Sequence, residues 1–164
     1  MFEVLVFVYE NYWCGDECPE PDQLERKLSA VGFESTQIHA AIDWLNGLNQ
    51  VAQETQWLPD AAPPAQYGAL SWLQSPTSIR VYSASEQSHL GSDCLGFIMF
   101  LEGSGVLPSP MREIVIDRAM AVPTPPSLDD LKLIVLMVYW RFGEEPDALV
   151  LDELCDDTVG RLAH

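Results

Sequence analysis

Along residues 128–142, "LDDLKLIVLMVYWRF", the eight positions from Leu133 to Trp140 carry no charge and almost no polarity. Ser127 stands where a helix N-cap is needed, and Asp129 and Asp130 fall in a first turn, where the helix dipole favours anions. Arg141 falls in the last turn and Gly143 supplies a left-handed stop. These signals predict a helix over 128–142, roughly 22 Å long at about 1.5 Å per residue. A bilayer core needs about 30 Å, so the segment is too short to span one. Being apolar on all sides, it is expected at the centre of a helical domain, buried by its neighbours.

The pattern elsewhere predicts more helices. "FEVLVFVYENY", Phe2 to Tyr12, reads as helix, although its β-branched and aromatic content would also suit a buried strand. Asp22 is the expected cap of a second helix reaching Val31, with Leu24, Leu28 and Val31 as its stripe and Gly32 as its end. A third helix is expected from Ser35 to Gln50. Its inner face would hold Ile38, Ala41, Ile42, Leu45 and Leu48; Ser35, His39, Asp43 and Asn46 share the other face. Residues 53–77 change character, with Pro59, Pro63, Pro64 and Pro76 and only two charges, and read as a linker or lid. "SIRVY" is a short strand candidate. Ser83 or Ser85 would cap the next helix, interrupted at Gly91 and resumed through "DCLGFIMFLEGSG". "SPMREIVIDRAMAV" predicts a helix with Pro110 in its first turn and Met111, Ile114, Val115, Ala119 and Val122 turned inward. A last helix is expected from Asp147 to Leu162. Helices ending at Gly32-Phe33 and at Gly105-Val106 each turn into an amphipathic helix, suggesting two helix-turn-helix-like units.

The fold class expected is therefore all-α: six to seven helices around a buried apolar helix, with one short β element. The units would be an N-terminal three-helix unit (1–52), the linker or lid (53–77) and a C-terminal helical unit (78–164), packed as one globule. A chain of 164 residues is long enough to bury a core without staples.

Charge narrows the function. The chain has 25 acidic residues against 8 basic ones, a formal net of -17. Such a molecule repels phosphate backbones and anionic lipid, so direct nucleic-acid contact and membrane binding are not expected, and protein partners are. The start lacks the basic residues of a secretory signal, with no Lys or Arg before Arg26, so the expected location is the cytoplasm and the four cysteines are expected as thiols.

"MFEVLVFVYENY", "DQLERKLSAVGFESTQIHAAIDWL", "IRVYSASEQSHL", "CLGFIMFLEGSGVL", "REIVID" and "LDDLKLIVLMVYW", in that order, resemble the Smg family of proteobacterial proteins. The likeness covers nearly the whole chain apart from the 53–77 insert. It implies a mostly helical, cytosolic bacterial protein from a family without an established activity. Its genes are often found near DNA-uptake and DNA-processing genes, which is an association and not a mechanism. Cys14, Cys18 and the Pro-Ala insert look unusual for that family.

Candidate chemistry is sparse. A DNA-reading helix needs Lys or Arg for phosphates, and Ser35–Gln50 contains neither. Ser35, His39 and Asp43 sit at i, i+4 and i+8, but neighbours on one helix project in parallel and cannot converge on a reacting atom, so they read as a solvated face. Cys14 and Cys18 lack the second ligand pair that structural zinc needs; Cys94, Cys155, His39, His89 and His164 are isolated, and no metal or cofactor is expected. Glu113 and Asp117, flanked by Arg112 and Arg118, are expected as a salt-bridged exposed face rather than an acid-base pair. Two features remain as candidate protein-binding surfaces. One is the acidic cluster Glu144, Glu145, Asp147, Asp152, Glu153, Asp156 and Asp157. The other is the aromatic set Trp57, Tyr67 and Trp72 of the lid. The expectation is a non-enzymatic, protein-binding adaptor or regulator; the alternatives are a nucleic-acid-associated regulator built on the helix-turn-helix units, or an enzyme with an unrecognised site.

Overall fold

A computed structural model describes residues 1–12, 21–56 and 80–143. Among them lie six helices: α1 (Phe2–Tyr12), α2 (Pro21–Val31), α3 (Ser35–Gln56), α4 (Ala84–Gly103), α5 (Ser109–Met120) and α6 (Leu128–Phe142). The fold is all-α.

α6 is the hub. Nine consecutive residues, Leu131 to Tyr139, are buried. Its neighbours explain how every side of one helix can be inside: α1, α3, α4 and α5 all pack against it. Its ends follow the sequence signals. Ser127 Oγ accepts from the Asp130 backbone N–H and the Asp130 carboxylate accepts from the Ser127 backbone N–H, a reciprocal capping box. Gly143, at φ 67°, closes the other end in the left-handed conformation that a side chain would oppose. Ser127→Ala should cost about 1 kcal/mol, read from urea denaturation, because the first-turn donors lose their acceptor.

α1 is a helix, its β-branched residues notwithstanding. Val4, Leu5, Val8 and Tyr12 are buried at helical spacing against α3 and α6, which a two-residue period could not achieve. α2 packs mainly on α3 across the turn Gly32–Glu34, where Gly32 takes φ 107° and the Phe33 N–H returns to the Leu28 carbonyl. Asp22 lies inside the first turn of α2, since the helix already includes Pro21, and so serves the dipole from within rather than as the residue before the helix. α3 runs to Gln56, beyond the expected end at Gln50, and buries Ala52 in line with Leu45 and Leu48.

α4 is two helical pieces joined at Gly91, whose φ 71° and ψ 174° are open to glycine and costly for other residues. α5 starts after Pro108 with Pro110 in its first turn and turns Met111, Ile114, Val115 and Ala119 inward; Val122 is buried just beyond its end. One buried cluster draws side chains from all six helices. No strand occurs among the described residues: Arg80, Val81 and Tyr82, the described part of the strand candidate, pair with no strand, and Val81 is 86% exposed. The helix expected over 147–162 lies outside the described residues.

Candidate functional site

The densest polar arrangement begins where the chain enters α4. Ser83 caps that helix, and its capping-box partner is Glu86. The Glu86 carboxylate is shared: besides accepting from the Ser83 backbone N–H at 2.7 Å, it accepts from Arg80 Nη2 at 2.8 Å. Arg80 also donates from Nε to Glu113 on α5 at 2.9 Å, and its guanidinium lies 4.5 Å from the centre of the Tyr82 ring. Glu113 in turn accepts from Arg112 Nη2 at 2.7 Å, and Arg112 reaches Glu102 on α4 with Nη1. Two guanidinium groups and three carboxylates thus tie residue 80, α4 and α5 together.

Arg112 was expected on an exposed face and is buried, with 2% of its side chain accessible. The reason is its helical neighbourhood: Val115, Ile116 and Ala119 follow at i+3, i+4 and i+7 and are all buried, so the stem of Arg112 belongs to the inner face while its head reaches the rim. Glu113 and Asp117 do lie on the exposed face. Arg118 pairs with Asp117 at 2.6 Å, and its guanidinium covers Gly47 of α3 so closely that a Cβ there would collide with it. The Trp44 indole N–H donates to the Arg118 carbonyl at 3.0 Å, so the same residue holds α3 to α5 twice.

These ion pairs shift acidities. The Arg80 hydrogen bond dominates at Glu86 and holds its carboxyl down to about 2. Burial pushes Glu113 up, but the hydrogen bonds from Arg80 and Arg112 outweigh it and leave its pKa below the ordinary value. Folding therefore makes Glu86 a weaker proton binder than it is in the unfolded chain. Its contribution to stability is complete above about 4.5 and is lost as the pH falls towards about 2. Glu86→Gln keeps an acceptor for the cap and should flatten that acid limb of the stability-pH curve, measured by urea denaturation at stepped pH.

No reacting group stands free among these carboxylates, each being held by arginine. His39 pairs with Glu25 across from α2 at 3.2 Å, not with Ser35 or Asp43, and all three residues of that row are exposed. The Cys94 thiol is pushed up, first by burial and then by Asp93 and Asp130, and it contacts the Pro126 carbonyl at 3.5 Å; a thiol in that setting is a poor nucleophile. Among the described residues no three His, Cys, Asp or Glu side chains are grouped to hold a metal ion. Cys14, Cys18, Trp57, Tyr67, Trp72, Glu144, Glu145, Asp147, Asp152, Glu153, Asp156 and Asp157 all lie outside the described residues.

What the fold leaves outside is anionic. Glu3, Glu10, Asp22, Glu34, Asp43, Asp93, Glu113 and Asp117 are exposed, whereas the only exposed Lys or Arg side chains among the described residues are Arg26 and Lys27. Arg112 and Lys132 are buried, Arg80 and Arg118 are mostly covered, and Arg141 donates to Asn49 on α3 at 2.6 Å. Lys27 itself lies 5.1 Å from the Tyr12 ring centre. The sequence pattern put Arg112 and Arg118 on an exposed face, whereas Arg112 is buried and Arg118 mostly covered.

The whole chain, residues 1–164, matches the family described as "Protein of unknown function (DUF494)". It is 53% identical to a protein named "Protein Smg homolog" from Methylibium petroleiphilum over 165 residues, all of both chains. The chain belongs to the Smg family. Relatives of the same name from Leptothrix cholodnii and Bordetella pertussis are 54% and 46% identical, again over the full length of both chains. No solved structure matches it significantly. The Smg family resemblance carried by the quoted segments is thus shown, and the match extends over the complete chain, residues 53–77 included. No helix among the described residues is long and apolar enough to cross a membrane.

Proposed function

We propose that this Smg-family chain is a non-enzymatic adaptor or regulator in the cytoplasm that docks a basic surface of a protein partner. The observation that carries the reading is the inward placement of its cations. A body of formal net charge -17 whose Arg80, Arg112 and Arg118 are spent on its own carboxylates presents a predominantly negative field, which attracts basic polypeptide surfaces and opposes phosphate backbones. The helix a helix-turn-helix would use for reading, α3, contains no Lys or Arg along Ser35–Gln56. The acids Glu144, Glu145, Asp147, Asp152, Glu153, Asp156 and Asp157, or the aromatics Trp57, Tyr67 and Trp72, supply the specific contact.

The test has two arms. In the first, the protein is titrated with duplex DNA at low salt, and no binding is expected below about 100 µM; micromolar affinity would overturn the reading. In the second, partners are captured from native lysate with the wild type, with the seven acids changed to Asn or Gln, and with the three aromatics changed to Ala. Loss of the captured set in one variant identifies the contact. Retention in both variants rejects these surfaces.

A further inference from the structure

We propose that the exposed face of α4 centred on Met99 and Phe100 is a docking face for a basic amphipathic helix of a protein partner. The proposal rests on the protein-binding reading above and adds to it a surface that reading does not use. α4 buries Leu90, Cys94, Ile98 and Leu101 on one side, towards α5 and α6. Its other side holds Ser92, Asp93, Gly96, Met99, Phe100 and Gly103, all exposed and spaced by three or four residues, hence one continuous stripe. Met99 and Phe100 are 57% and 61% exposed. Two large apolar side chains side by side in water make a contiguous apolar patch that a partner can cover. Gly96 and Gly103 flank them, and a Cβ at either would meet nothing within 4 Å, so an approaching helix finds bare backbone on both sides of the anchor.

Charge decides between occupants. A second copy could place Met99 against Phe100 of its partner in an antiparallel pair, but α4 contains no Lys or Arg to meet Asp93, and two bodies of net charge -17 repel. A partner helix with leucines or aromatics on one side and Lys or Arg beside them satisfies every feature of the stripe. Its apolar side covers Met99 and Phe100, its cations meet Asp93 and the surrounding field, and the pliable Met99 accommodates its side chains.

The test uses the full chain and three fluorescent peptides of about five helical turns each: Leu/Lys amphipathic, Leu/Glu amphipathic and Lys/Ser without an apolar side. Fluorescence anisotropy should show the Leu/Lys peptide binding the wild type best, with affinity reduced about tenfold in Phe100→Ser and also in Met99→Ser. The Lys/Ser peptide should bind weakly and be indifferent to both substitutions. Because both residues are exposed, thermal melts of the variants should match the wild type. Equal affinity of the Leu/Lys peptide for wild type and both variants would overturn the proposal, as would tighter binding of the Leu/Glu peptide. Sedimentation velocity showing a wild-type dimer dissolved by Phe100→Ser would assign the face to a second copy instead. If lysate partners are lost on changing the acids of 144–157 but kept by Phe100→Ser, the α4 proposal falls while the protein-binding reading stands.

Discussion

Ile134→Ala is expected to lower the free energy of unfolding by about 3–4 kcal/mol. Ile134 has no accessible surface and lies next to the middle of the nine-residue buried run of α6. The loss has two parts. About three methyl or methylene groups forfeit their transfer energy, and the space they leave cannot collapse, because helices on several sides of α6 are held apart by their other contacts. A domain of ordinary stability has only about 5–15 kcal/mol in total, so the variant should melt many degrees earlier and shift its urea midpoint strongly. Ile134→Val removes one group and should cost about 1 kcal/mol. If Ile134→Ala costs less than that, the run from Leu131 to Tyr139 is not the packed core of the protein, and a partner groove at α6 becomes the better account of its apolarity.

The legibility of α6 in the sequence has a simple origin. Its caps, its length and its lack of polar interruption are local signals, and no distant residue is needed to interpret them. The same holds for the break at Gly91 and for the turn at Gly32, where one residue without a side chain supplies a backbone angle that others avoid. Part of what failed was decided by distant partners. In the described part of the strand candidate, Arg80, Val81 and Tyr82, a strand would need a neighbouring edge, and Arg80 is instead drawn to Glu86 and Glu113. α3 outruns its expected end because Val51 and Ala52 continue the inner stripe and the following Gln and Glu residues do not break a helix. The ion network was half visible. Ser83 and Glu86 form a capping box by spacing alone, whereas the second duty of Glu86 depends on a cation that the helix itself does not contain. The inward placement of Arg112 could have been read from Val115, Ile116 and Ala119, whose helical spacing puts them beside it.

That arginine carries the second large effect. Arg112→Ala is expected to cost about 2–4 kcal/mol, measured by urea denaturation near neutral pH. Removing one member of a buried ion pair usually leaves an uncompensated charge in a low dielectric, at about 3–5 kcal/mol. Here both orphaned carboxylates can hydrate: Glu102 is 32% and Glu113 45% exposed, and Glu113 keeps Arg80. The electrostatic loss is therefore smaller, but alanine also empties the space filled by the buried stem. Arg112→Met separates the two parts by restoring the stem without the charge, and should recover about half of the loss. Arg112→Lys should recover little of the ionic part, because Arg112 uses Nε and Nη2 on Glu113 and Nη1 on Glu102, three donors in a fixed plane that a single ammonium cannot match. Should Met prove as stable as the wild type, the network fixes where α4 and α5 meet without adding to stability. Should Lys prove equivalent to Arg, the fork geometry is irrelevant and only the charge matters.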